Sequence, residues 1–156
     1  MINRDIIRNV LIITLTFIII LSMIIFLSFI ANLIKEKDEN YYVFGKDKIP
    51  SINLILGKRE LSSYKKLDGD NIITKIYKYK NIKDPKSDLS NYVDKLKNDY
   101  NYLYTSEINL KKSKGKFQLG NNSIDSNKIL IIDFSYDKDS YTIKITKGDG
   151  KINSYK

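Results

Sequence analysis

The sequence predicts an α+β protein in which an N-terminal transmembrane helix precedes a mostly antiparallel sheet with one covering helix, in the order β-β-α-β-β-β-β. Three observations predict it. The run VLIITLTFIIILSMIIFLSFIANLI, Val10 to Ile34, has no charge between Arg8 and Lys35. A later segment, Asp84 to Tyr100, carries apolar residues at helical spacing. Around it, short runs alternate apolar and polar residues and are separated by Asp- and Gly-containing turns.

The apolar run comes first. At about 1.5 Å of rise per residue it exceeds the ~30 Å hydrocarbon core of a bilayer. It has no polar face. Its only hydroxyls, Thr14, Thr16, Ser22 and Ser28, can each bond a carbonyl one turn back and so cost little in lipid. The rival is a cleaved signal peptide behind a short n-region with Arg4 and Arg8. Cleavage after Ala31 would place Phe29 at the minus-three position, and cleavage after Ser28 would place Phe26 there, so no small-x-small site is present. The expected layout is a cytoplasmic tail over residues 1–9, a transmembrane helix over 10–34, a juxtamembrane linker over 35–50 and an extracytoplasmic α+β domain over 51–156. Counting Lys and Arg on the two flanks does not by itself favour a cytoplasmic N-terminus. A short tail before a long apolar segment does, because long C-terminal domains translocate largely regardless of charge.

Within the linker, KEKDEN gives way to YYVFGKDKIP, and Tyr41, Tyr42 and Phe44 suit a membrane-proximal anchor. From Ser51, Ile52, Leu54 and Leu56 alternate with their neighbours, and Leu67-Asp68-Gly69-Asp70-Asn71 leads into IITKIYKYK. Two strands around an Asp-Gly turn are expected there. The second of them, Ile72 to Tyr79, is partly apolar on both faces and is expected inside a sheet. Asp84 can cap the helix, Pro85 suits its first position, and Leu89, Tyr92, Val93, Leu96 and Tyr100 form its buried stripe. Tyr100, Tyr102 and Tyr104 then recur at the period of a strand, Phe117 to Leu119 makes another, and KILIIDFSY and YTIKITK make a hairpin joined by Asp137 to Ser140.

Composition excludes most catalytic chemistry. The 156 residues contain no His, Cys or Trp, so there is no imidazole base or ligand, thiolate, disulfide or zinc-thiolate site. No cofactor or metal is expected. Asp68-Gly69-Asp70-Asn71 fails the calcium-loop spacing, and its twelfth position is Tyr79 rather than Glu. Asp133, Asp137 and Asp139 read as one polar-face residue and two turn residues. Gly148-Asp149-Gly150 has no following helix to complete a phosphate cradle. Ser62 and Ser63 beside Lys65 and Lys66 read as surface serines rather than a Ser-Lys dyad, and Glu60, Glu107 and scattered Asp residues single out no carboxylate pair. An enzyme is not expected.

Charge is the remaining lever. Lys and Arg number 27 against 18 Asp and Glu, and beyond the first nine residues the net charge is about +8. The candidate binding residues are Lys58, Arg59, Lys65, Lys66, Lys75, Tyr77, Lys78 and Tyr79, a basic cluster interleaved with tyrosine. Such a surface suits a protein partner or an anionic polymer of the cell envelope. Nucleic acid is disfavoured, because beyond the tail the only arginine is Arg59 and the domain is expected outside the cytoplasm. Two other functions remain open. One is an accessory structural subunit of a membrane complex, using Thr14, Ser22 and Ser28 as a polar stripe although no GxxxG motif is present. The other is a carboxylate-dependent hydrolase.

The runs YKYKNIKDPKSDLSNYVDKL, GKFQLGNNSIDSNKILIIDFSY and YTIKITKGDG together resemble the soluble domain of uncharacterised membrane-anchored or secreted small proteins of low-GC Gram-positive bacteria, over about residues 50–152. The resemblance implies this fold and location, and carries over no activity and no functional residue. Pilin-like proteins also begin with an apolar helix, but their Gly-Phe processing site and the glutamate just inside the helix are missing here.

Overall fold

The computed structural model of the protein describes residues 4–35, 40–106 and 112–152. The chain divides into two units, Met1–Asp38 and Glu39–Lys156.

The first unit is one helix, α1 (Arg4–Lys35). Its stretch from Arg8 to Leu27, with mean hydropathy 3.1 and no buried residue, is long and apolar enough to cross a membrane. The hydroxyls of Thr14 and Thr16 donate to the carbonyls of Val10 and Ile12, and that of Ser22 to the carbonyl of Ile19. Each is satisfied inside its own helix and offers no donor to a neighbour. The side chain of Ser28 lies outside the described residues.

The second unit is α+β. It opens with a hairpin of β1 (Tyr41–Phe44) and β2 (Asp47–Pro50), followed by a single helical turn, α2 (Ile52–Leu56). Then come β3 (Glu60–Asp68), β4 (Ile73–Lys80), α3 (Pro85–Tyr100), β5 (Leu103–Tyr104), β6 (Gly115–Asn122), β7 (Lys128–Tyr136) and β8 (Tyr141–Asp149). From β3 onward the order is the expected β-β-α-β-β-β-β. The six strands form one antiparallel sheet in the order β3-β4-β8-β7-β6-β5. Strands β5 to β8 are a meander, and α3 carries the chain from β4 to the opposite edge.

One face of the sheet is covered. Tyr77, Tyr79, Phe117, Leu119, Leu130, Ile132, Phe134, Tyr136, Tyr141, Ile143 and Ile145 alternate inward and are buried. Leu89, Tyr92, Val93 and Leu96 of α3 meet them, with Tyr92 edge-on to Phe134. Asp84 caps this helix through the Ser87 N–H, Pro85 follows, and Asn101 ends it in a left-handed conformation. The β1–β2 hairpin packs on the same face through Tyr42 and Phe44, and the Tyr92 hydroxyl donates to the Pro50 carbonyl at 2.7 Å.

Three expectations are corrected. Residues 41–50 are not linker but a folded hairpin, because Gly45 takes the positive φ a two-residue turn requires and Tyr42, Phe44 and Ile49 are buried. Ile52 to Leu56 is helical rather than extended. Ser51 accepts from the Leu54 N–H as an N-cap and Gly57 ends the turn at positive φ, so local capping overrides the apparent alternation. Tyr100 still belongs to α3, and the strand after it is only Leu103–Tyr104.

Candidate functional site

The eight basic and tyrosine residues expected to bind do not share one surface. Tyr77, Tyr79 and Lys75 point to the covered face and are buried. Tyr79 and Tyr42 join hydroxyls at 2.8 Å, and the Lys75 ammonium sits 5.3 Å from the centre of the Phe44 ring. Arg59 grips Asp88 of α3 with two parallel hydrogen bonds, 2.6 Å from Nε and 2.9 Å from Nη2, so its fork is engaged internally. Lys58 is exposed beside it. Lys66 follows the covered-face phase, opposite Lys75, and pairs with Asp68 at 3.1 Å. Only Lys65 and Lys78 reach the other face together.

No helix of the second unit lies against that other face among the described residues. The registers place Ser63, Lys78, Thr142, Ser135 and Lys116 side by side on β3, β4, β8, β7 and β6. The row crosses five strands and consists of hydroxyls and ammonium groups. Lys65 stands diagonally from Lys78, about 7–8 Å away, and Lys116 is three strand spacings from Lys78, about 14 Å. Lys144 and Lys80 are on the same face but are matched, with Asp133 at 3.4 Å and Glu60 at 3.0 Å. Lys65, Lys78 and Lys116 have no ion pair among the described residues and are exposed. At one corner, Ile152 lies against Gly120, tied to Asn122 by two hydrogen bonds.

Sequence proximity could not find this row. It grouped lysines near one another along the chain, whereas Lys116, Ser135 and Thr142 join Lys78 only through the pairing of β6, β7 and β8. The alternation within GKFQLG and YTIKITK was the available signal, and the strand order was the missing piece.

A second locus lies at the Asp68–Asn71 turn, where a cavity of about 200 Å³ opens beside Phe44, Asp70, Asp125, Lys128 and Lys147. Lys147 is buried there. Its ammonium donates to Asp47 Oδ2 at 2.6 Å, Asp125 Oδ2 at 2.6 Å and the Phe44 carbonyl at 3.1 Å, which uses all three of its protons. Asp47 also accepts from the Ser123 hydroxyl and the Ile124 N–H. Burial raises the Asp47 pKa, but the Lys147 ammonium and those two donors outweigh it and hold the carboxyl below its ordinary range. Burial likewise opposes the Lys147 charge, while Asp125 and Asp47 raise its pKa overall. The cluster ties β1–β2 to β8. The ammonium has no proton left for a ligand.

Several other acids are paired as well. Asp133 takes the Gln118 amide as well as Lys144, and Asp137 pairs with Lys114, so these two carboxylates face different partners. Glu60 is held below its usual range by Asn81 and then Lys80, the opposite direction from a general acid. Glu107 lies outside the described residues. The Ser62 hydroxyl donates to the Lys78 carbonyl rather than to a lysine side chain. Asp68 to Asn71 is the β3–β4 turn, closed by the Gly69 N–H on the Ile72 carbonyl. No protein-family model, curated protein or solved structure matches the chain.

Proposed function

We propose that the protein is a single-pass membrane protein whose α1 anchors a non-catalytic binding domain outside the cytoplasm, and that the uncovered sheet face binds an anionic polymer of the envelope. The observation that carries this reading is the row Ser63, Lys78, Thr142, Ser135 and Lys116, flanked by Lys65. Ammonium groups supply long-range attraction, and the hydroxyls between them supply short-range donors to phosphate or carboxylate oxygens. A flat row suits a chain-like ligand better than a small one, since it offers no enclosure. The accessory-subunit reading is less favoured, because the Thr14 and Ser22 hydroxyls are spent within α1.

The test uses the full chain in nanodiscs of neutral lipid. Binding to isolated cell wall and to poly(glycerol phosphate) is measured across a salt series. Retention that falls with salt, and falls at least tenfold further in Lys78→Glu/Lys116→Glu, supports the proposal. Binding that is absent, or that ignores both substitutions, refutes it. Protease added to intact cells reports the side of the membrane: an extracytoplasmic domain is cut, a cytoplasmic one is protected.

A further inference from the structure

The outer edge of the sheet at β3 carries a second inference, which shares only Lys65 with the lysine-bearing face. All nine residues of β3 are exposed, on both faces, including Leu61, Tyr64 and Leu67. Its inner edge pairs with β4, and no strand among the described residues pairs with its outer edge. At the opposite side the sheet ends in β5, which is only two residues long. A short edge strand resists further pairing, whereas a nine-residue one offers a row of backbone donors and acceptors.

The edge is selective. A register shift between Leu61 and Ser63 disrupts its first third, while Tyr64 to Asp68 pairs regularly with Tyr77 to Ile73. In that regular part the outward order is Tyr64, Lys65, Lys66, Leu67. A second copy would have to pair antiparallel about a twofold axis normal to the sheet. Centred on Lys65 or Lys66, such pairing sets like charges directly opposed, and centred on Leu67 it overlaps only Lys66 to Asp68 before the turn at Gly69. Centring on Tyr64 spares the lysines but sets Glu60 against Asp68 and runs through the bulge. The chemistry therefore disfavours self-association and favours an acidic partner.

We propose that β3 receives an extended segment of a partner protein as a seventh strand, and that the segment reads apolar-acidic-acidic-apolar. In antiparallel pairing its apolar ends lie opposite Leu67 and Tyr64, and its two carboxylates lie opposite Lys66 and Lys65. Main-chain hydrogen bonds supply affinity, and the two lysines, on opposite faces of the strand, set register. The Asp68 carboxylate on Lys66 is exposed and exchanges readily for the incoming one.

The experiment titrates full-length protein in neutral nanodiscs with a capped peptide containing Thr-Val-Glu-Glu-Tyr-Thr, against the same peptide with both Glu replaced by Lys. The acidic peptide is expected to bind at least fivefold more tightly, and Lys65→Glu/Lys66→Glu to reverse the preference. Two N-methylated peptides, blocked at alternate amides, separate strand addition from simple attraction. One phase should abolish binding and the other leave it unchanged, with slowed amide exchange confined to β3. Equal binding by both phases, no binding, or a preference unmoved by the double substitution overturns the proposal. The Lys78→Glu/Lys116→Glu variant should leave peptide binding intact, so the edge and the sheet face fail or stand separately.

Discussion

Lys147 Nζ lies 2.6 Å from Asp47 Oδ2, joining two buried side chains one hundred residues apart in sequence. The pair fastens the first hairpin to β8, the strand beside the sheet's centre. Asp47→Ala leaves the buried ammonium with Asp125 and the Phe44 carbonyl only. Breaking a buried pair in this way is expected to cost about 3 kcal/mol. Replacing both residues, Asp47→Leu with Lys147→Met, removes the buried ammonium as well and should recover most of the loss. Denaturant unfolding followed by tyrosine near-ultraviolet circular dichroism checks both, and equal losses in the single and double variants would contradict the assignment.

The same cluster predicts a pH window. The folded Asp47 pKa lies below its unfolded value, so its contribution is complete above about pH 4 and disappears as pH falls through the folded value. Lys147 has the opposite sense. Its raised pKa gives a contribution that is complete below about pH 10 and is lost as pH rises through the folded value. Unfolding free energy measured against pH should therefore fall at both ends, and Asp47→Asn should flatten the acid limb while lowering the plateau.

Tyrosine ionisation sharpens the alkaline limb. Burial raises the pKa of Tyr79 to about 12, while its bond to Tyr42 pulls the other way. Tyr42 is pushed well up, by burial first and by Tyr92 and Tyr79 after it. Raised values mean that the neutral phenols stabilise the fold up to about pH 10 and that this stability drains away as pH climbs through the folded values. Phenolate absorbance should thus show a late step from Tyr79 near pH 12. Tyr79→Phe should remove one late step and cost about 1 kcal/mol, because the Tyr42 oxygen keeps the Ile52 N–H.

The legible part of this molecule was the part written in periodicity. The apolar run, the capped α3 with its Leu89-Tyr92-Val93-Leu96 stripe, and the alternation of β7 and β8 each repeat a local rule several times, so one misleading residue does not erase them. The first hairpin escaped because its strands are four residues each and its inward positions include Asp47, whose charge argues for solvent until Lys147 is placed beside it. The binding surface escaped for a related reason. Charge along the chain is visible in sequence, but which lysines stand side by side depends on strand order: the pleat puts Tyr77 and Lys78 on opposite faces, and the succession β4-β8-β7-β6 draws Lys116 into line with the latter. Arg59 shows the converse: an isolated arginine in a lysine-rich chain signals a geometric task, here the two-pronged grip on Asp88.

Gly115 supplies the last prediction. It opens β6 opposite Tyr136, and a Cβ built on it would lie 2.5 Å from the Tyr136 hydroxyl and 2.6–2.7 Å from its ring carbons. That ring is buried, and its hydroxyl donates to the Lys112 carbonyl, so it cannot swing aside without opening the end of the sheet. Gly115→Ala should therefore destabilise the domain by about 1–3 kcal/mol through overpacking. Gly57→Ala has open space around the new methyl group but imposes a side chain on positive φ, so its cost, about 1 kcal/mol, arises in the backbone. Adding Tyr136→Leu to each variant separates the two causes. Loss of the ring should relieve the penalty at Gly115 and leave that at Gly57 unchanged, and additive losses at both positions would show that Tyr136 is not the obstacle.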